Sequence, residues 1–170
     1  MELLVFIFLR LLKAGGGNVQ THNNYRIAAD FPGDFQPWPR EWSRRATFHF
    51  YAPFNFTHQG ADWVSPIPSV GVKWPGDNVA MACQAIRDEM DFVRIWSRAH
   101  GNIPVLLGEF GALSKGDITS RANWTAYVRK QAESMGISWT YWEFCAKFGV
   151  YDDTTGQWNE PLLEALGLNP

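Results

Sequence analysis

Glu109 follows the apolar run Pro104-Val105-Leu106-Leu107-Gly108 and precedes Phe110-Gly111. A carboxylate carried to the end of an apolar strand is costly unless it is paired or used. Used, it serves as a nucleophile or as a general acid or base. A glutamate that only caps the following turn remains the alternative at this point. Ala46-Thr47-Phe48-His49-Phe50-Tyr51 has strand composition, and its alternation puts Phe48 and Phe50 on one side, His49 and Tyr51 on the other. Trp142 and Glu143 close a third strand-like run, Ser138-Trp139-Thr140-Tyr141-Trp142-Glu143-Phe144. Each of these residues has a plain structural role available. Together, at the ends of three successive strands, they form a set.

The elements around them follow from pattern and punctuation. Val105, Leu106 and Leu107 are continuous rather than alternating, as in a parallel strand covered on both faces. Gly108 and Gly111 permit a tight turn and close approach beside Glu109. Asp77 can cap a helix running to about Ala99, with Val79, Ile86, Met90, Val93 and Trp96 inward and Gly101 as its stop. Asp117, Thr119 or Ser120 can cap a second helix to about Met135, with Trp124, Tyr127 and Val128 among its apolar positions and Gly136 after it. A last short helix covers 161–166 and ends at Gly167. Residues 55–75 read as a long loop holding His58, Gln59, Trp63 and Trp74. Strand and helix alternating at this spacing predict parallel βα units, whose ligands sit at the C-terminal strand ends.

With 170 residues the chain suffices for one domain, and falls short of the roughly 200 that a complete eight-stranded α/β barrel needs. A net charge of −2 with 19% charged residues points to no nucleic-acid surface and no polybasic membrane patch. Nine Trp, twelve Phe and five Tyr exceed what the core requires, so some indole faces are free to stack on sugar rings. Cys83 and Cys145 show no metal-ligand spacing, and no metal is expected. The apolar opening, residues 1–13, is too short to span a bilayer. Glu2 leads, the basic residues follow, and Ala14-Gly15-Gly16-Gly17 only loosely matches a cleavage site, so no convincing signal peptide is read. A helix packing on the chain or a partner is expected there, with an uncleaved signal-like segment as the alternative. The chain reads as a single domain, 1–170, whose first 45 residues carry little legible pattern beyond that helix and a short strand near 25–27.

These residues resemble a known family. His49-Phe50-Tyr51, the loop Pro53-Phe54-Asn55-Phe56-Thr57-His58-Gln59-Gly60-Ala61, Gly108-Glu109-Phe110-Gly111, and Trp139 to Phe144 followed by Phe148-Gly149-Val150-Tyr151-Asp152 are similar in order and spacing to glycoside hydrolase family 5, the cellulase-type retaining β-glycanases. The resemblance is strongest over 46–166. It implies a (β/α)8 barrel, hydrolysis of β-1,4-glucans without a cofactor, and an extracellular location. Residue by residue, it makes Glu109 the nucleophile on strand seven, His49 and Tyr51 the strand-six pair lining the cleavage subsite, and Trp142 the strand-eight indole on which the sugar stacks. For Thr57, His58, Gln59 and Trp63 the likeness covers the loop only, and support of the loop and contact with substrate stay open.

The chain also departs from the family. The acid/base glutamate expected in an Asn-Glu-Pro motif on strand four has no counterpart before Ala46. Asn159-Glu160-Pro161 has the right letters but follows the strand-eight signature and opens the last helix. Glu143 is a second weak candidate, since alternation turns it away from the cleft if Trp142 faces in. The expected architecture is therefore half of a (β/α)8 barrel, roughly strands five to eight with their helices. Open strand edges and uncovered interior residues then call for association, and a homodimer could close the barrel. Two functions of different class follow: an endo-β-1,4-glucanase completed by self-association, or a catalytically deficient half-barrel that binds carbohydrate.

Overall fold

The structure, a computed structural model, describes residues 45–168. The expected opening helix and the short strand near residues 25–27 lie outside these. After β1 (Ala46–Phe50) and a single helical turn α1 (Phe54–Thr57), a long segment leads to α2 (Val79–Ala99). Next come β2 (Val105–Phe110), α3 (Ile118–Ser134) and β3 (Ser138–Trp139). A small antiparallel pair, β4 (Tyr151–Asp152) and β5 (Gln157–Trp158), precedes the closing helix α4 (Glu160–Ala165). The strands β1, β2 and β3 form a parallel sheet in that order, with a helix between each pair, as the alternation predicts.

One face of the sheet carries the core. Phe48, Phe50, Leu107 and Phe110 are fully buried against Ile86, Met90 and Val93 of α2 and Trp124 and Val128 of α3. Burial of each such side chain is worth about 1.5–3 kcal/mol. Trp124 is the hub: its ring stacks on Phe50 with centroids 6.1 Å apart and meets Phe56 and Phe110 at 6.3 Å. Its indole N–H donates to the Ala52 carbonyl at 2.9 Å, which fixes the backbone just past Tyr51. Trp124 therefore links core packing to the exit of β1.

Several boundaries differ from the sequence expectation. The α2 cap is Asn78, whose Oδ1 accepts from the Met81 N–H at 3.0 Å, rather than Asp77. Val79, as the first helical residue, is exposed instead of inward. Asp117 does cap α3, accepting from the Ser120 N–H at 2.9 Å. The third strand pairs over two residues only. Beyond it, the N–H groups of Thr140 and Trp142 still donate to Leu107 and Phe110 at 2.9 Å, but the chain has left the ladder. Val105 and Leu106 are half-buried, so coverage of both faces of β2 is not met among the described residues. The β4–β5 pair lies in a stretch that carries no alternation long enough to announce it.

Candidate active site

The second face of the sheet is where the polar strand-end residues gather, and a single extra residue puts them there. Ala46, Thr47 and Phe48 pair in order with Val105, Leu106 and Leu107, after which His49 pairs with Glu109 and Phe50 with Phe110. Gly108 is thus the unpaired residue of a β-bulge. With strict alternation Glu109 would share the side of Leu107, which is fully buried. The bulge shifts the phase by one, so Phe110 takes the core side and Glu109 lies beside His49. Gly108 is required there for closeness: a Cβ would collide with Thr47 Oγ1. Gly111 is closed in the same way by the Trp142 carbonyl. Neither glycine makes a left-handed turn, so close approach, rather than a tight turn, is their function.

Two side chains hold the Glu109 carboxylate. His49 Nδ1 and the Tyr51 hydroxyl, which donates, each lie 3.1 Å from Oε2. Both contacts fall on one oxygen, and the carboxylate remains about a quarter exposed, 27%. Burial, then the neighbouring Glu109 charge, pushes the Tyr51 hydroxyl well above its ordinary range, so it stays protonated and donating. Glu143 adds to that push. Its Oε1 accepts from the Phe148 N–H at 3.2 Å.

The loop after β1 builds a wall beside this pair. Thr57 Oγ1 donates to the Tyr51 carbonyl at 2.6 Å and lies 3.0 Å from His58 Nδ1. The buried Gln59 donates to the carbonyls of Phe56 and Val72 and accepts from the N–H groups of Gly71 and Val72, closing the loop on itself. These two residues therefore support the loop. His58 stacks on Phe54 at 4.1 Å and sits edge-on to Tyr51 at 5.0 Å and Phe148 at 5.5 Å. Burial pushes its pKa down to about 4, so the ring is neutral at pH 7. Trp63, 51% exposed, lies beyond it at 6.4 Å.

Trp142 is 41% exposed past the end of β3, its N–H held by the Phe110 carbonyl. Glu160 opens α4 and lines a surface depression with Asp152, Trp158 and Asn159. Cys83 is half-buried and Cys145 exposed, both as free thiols. Among the described residues no cluster of three or more His, Cys, Asp or Glu side chains could hold a metal ion, and no helix is long and apolar enough to cross a membrane.

Three contributors were not read from the sequence. The Gly108 bulge had a signal, since an isolated glycine inside a strand pattern marks a bulge as often as a turn. Phe148 had only its place at the start of the motif Phe148-Gly149-Val150-Tyr151-Asp152, and Arg121 had no signal. Phe148 packs on Tyr51 at 6.1 Å, and its carbonyl accepts from Tyr141 at 3.1 Å and Arg121 at 3.3 Å. Arg121, buried in α3, also donates to the Ala112 carbonyl at 3.0 Å, so one cation ties the loop after β2 to the loop after β3.

Comparison with known proteins follows the same outline. Residues 15–148 match the family model described as cellulase, glycosyl hydrolase family 5. Endoglucanase 3 of Fibrobacter succinogenes is 30% identical over 149 residues, covering 71% of this chain and 22% of that protein. Among solved structures, a hyperthermophilic endo-beta-1,4-glucanase in complex with substrate is 52% identical with a TM-score of 0.66, over 71% of this chain and 38% of that one. Thermotoga maritima Cel5A in complex with mannotriose is 40% identical with a TM-score of 0.69, over 78% and 42% respectively. The chain thus spans about a fifth of that curated relative and about two fifths of those solved structures. The described α/β fragment, its strand-end residues and the match over 15–148 agree: the chain belongs to glycosyl hydrolase family 5, the cellulase family.

Proposed function

We propose that this chain hydrolyses β-1,4-glycosidic bonds of cellulose-type glucans by a retaining mechanism with Glu109 as nucleophile. The observation that carries the reading is the convergence of His49 and Tyr51 on Oε2 of a Glu109 carboxylate that is still 27% exposed. In the first step Oε1 attacks the anomeric carbon, the glycosidic bond breaks, and the leaving oxygen takes a proton from an acid. Water, deprotonated by the same group, then attacks the anomeric carbon and breaks its bond to Oε1, freeing the sugar and the Glu109 carboxylate. Two carboxyl groups about 5–5.5 Å apart are needed. His49 and Tyr51 orient the nucleophile, and Trp142 offers an indole face for a sugar ring. Trp63 offers another, farther along the wall formed by Tyr51 and His58.

The sheet of the described residues ends at β1 and β3, and a barrel needs further strands beyond both edges. We propose that a second copy closes it, in a homodimer whose strand ends share one mouth and face the β-glucan. We propose an extracellular location, which the likeness to endoglucanases supports. A second reading, a glucan-binding half-barrel without turnover, draws on Glu143. Oε1 of Glu143, the weak acid/base candidate next to Trp142, is occupied by the Phe148 N–H, which favours a site without an assigned acid. Hydrolysis of carboxymethyl-cellulose by the purified chain and by Glu109→Gln, with mass in solution measured alongside, separates the two. Wild-type turnover that disappears in the variant supports the enzyme; no wild-type turnover above a buffer blank leaves the binding unit. A monomeric mass removes the closed dimer.

A further inference from the structure

Lys147, in the loop after β3, reaches across to the loop after β1. Its Nζ lies 4.2 Å from the centre of the Trp63 ring and donates to Asp62 Oδ1 at 3.1 Å. The backbone beneath it is fixed, because the Lys147 carbonyl accepts from the Ser114 N–H at 2.9 Å. Only the side chain is free to swing, and both it and Asp62 are largely exposed, at 59% and 76%. One ammonium therefore covers one face of an exposed indole and is tethered by the residue next to that indole.

Trp63 is the outer end of an aromatic row that begins at the carboxylate. Tyr51 donates to Glu109, His58 lies 5.0 Å from Tyr51, and Trp63 lies 6.4 Å from His58. A sugar ring stacks on an indole by laying its C–H face on the π surface, the same surface that attracts a cation. Lys147 and a sugar cannot occupy one face together.

We propose that Lys147 is a latch on an outer sugar position at Trp63, which a long β-glucan must displace and a short one does not reach. The proposal rests on the glucan-binding reading of the cleft. An exposed cation–π contact and an exposed ion pair are each weak, so the latch opens readily and biases affinity rather than blocking it. With the open form a minority, removing the ammonium should tighten binding of long glucans by roughly three- to tenfold. Salt weakens the exposed Lys147–Asp62 pair and should produce part of the same gain in the wild-type chain.

Calorimetric titration of the full chain with cellohexaose and cellobiose tests this, every variant and the wild-type reference carrying Glu109→Gln so that the sugars stay unhydrolysed. Lys147→Ala is expected to bind cellohexaose three- to tenfold tighter than wild type, roughly the range given by opening the latch, with cellobiose unchanged. Asp62→Asn should give a smaller gain in the same direction, and the Lys147→Ala gain should vanish in a Trp63→Ala background. Weaker cellohexaose binding by Lys147→Ala would make Lys147 a sugar contact and overturn the latch. Equal binding by wild type and Lys147→Ala, or a gain that persists without Trp63, overturns it too. Binding of neither sugar by any variant is a different result: it removes the glucan reading itself, and the latch with it.

Discussion

His49 and Glu109 are register partners across the bulge at Gly108, and their side chains meet at 3.1 Å. The pairing of one backbone with another thus fixes the distance between two functional groups. Residues placed by a ladder inherit its rigidity, whereas residues placed by a loop move with it. The nucleophile proposed above stands on the rigid side of that division.

Tyr51→Phe removes one donor from Glu109 and little else. A hydrogen bond to a charged group is worth about 1.5–3 kcal/mol, so kcat on cello-oligosaccharides should fall about tenfold to a hundredfold. The urea midpoint should stay near that of wild type. An unchanged kcat would remove Tyr51 from the site.

Gly108→Ala forces a methyl group against Thr47 Oγ1. Overpacking of this kind costs about 1–3 kcal/mol, read as a lowered urea midpoint at constant slope. Thr47→Ala introduced into the same chain should recover part of that loss. Failure of the pair to couple would show that the bulge tolerates a side chain.

Trp124→Phe keeps an aromatic ring in the core but leaves the Ala52 carbonyl without its donor and opens a cavity. The expected loss is about 2–4 kcal/mol from both effects together. Denaturant titration measures it. A loss under half a kilocalorie per mole, roughly the level of a surface substitution, would deny Trp124 its place as hub.

His58 gives the stability a pH dependence. Its imidazole takes a proton near 6.5 when unfolded but only near 4 when folded, because burial disfavours the charged form. Between those values the unfolded chain binds more protons, so stability falls as pH drops through that window and levels off below it. Melting temperatures from pH 7 to pH 4 should decline less steeply in His58→Gln than in wild type. Identical slopes would show that His58 takes its proton as readily in the folded chain as in the unfolded one.

The sequence was most legible where a period and a breaker coincide. Phe48 and Phe50 against His49 and Tyr51, and Asp117 before α3, follow local rules that tertiary packing did not override. Asp77 misled because two adjacent residues, Asp77 and Asn78, both satisfy the cap preference, and only backbone geometry chooses between them. Glu143 was not within reach of the alternation argument. Alternation holds only while a strand continues, and β3 stops at Trp139, four residues earlier. Arg121 could not be read at all: a buried cation satisfied by two carbonyls from distant loops has no local signature.

The bulge in β2 also acts as a reading frame. Leu107 and Glu109 are two apart yet answer to different surroundings, one to the core and one to the cleft, because Gly108 resets the count between them. Pairing that residue in the ladder instead of bulging it out would carry the carboxylate to the core side of Leu107 and every following side chain to the opposite face. Substitutions on either side can be graded by size and chemistry, but a slip of register there is all-or-none. The protein's tolerance of variation along this strand is therefore set by register before it is set by residue type.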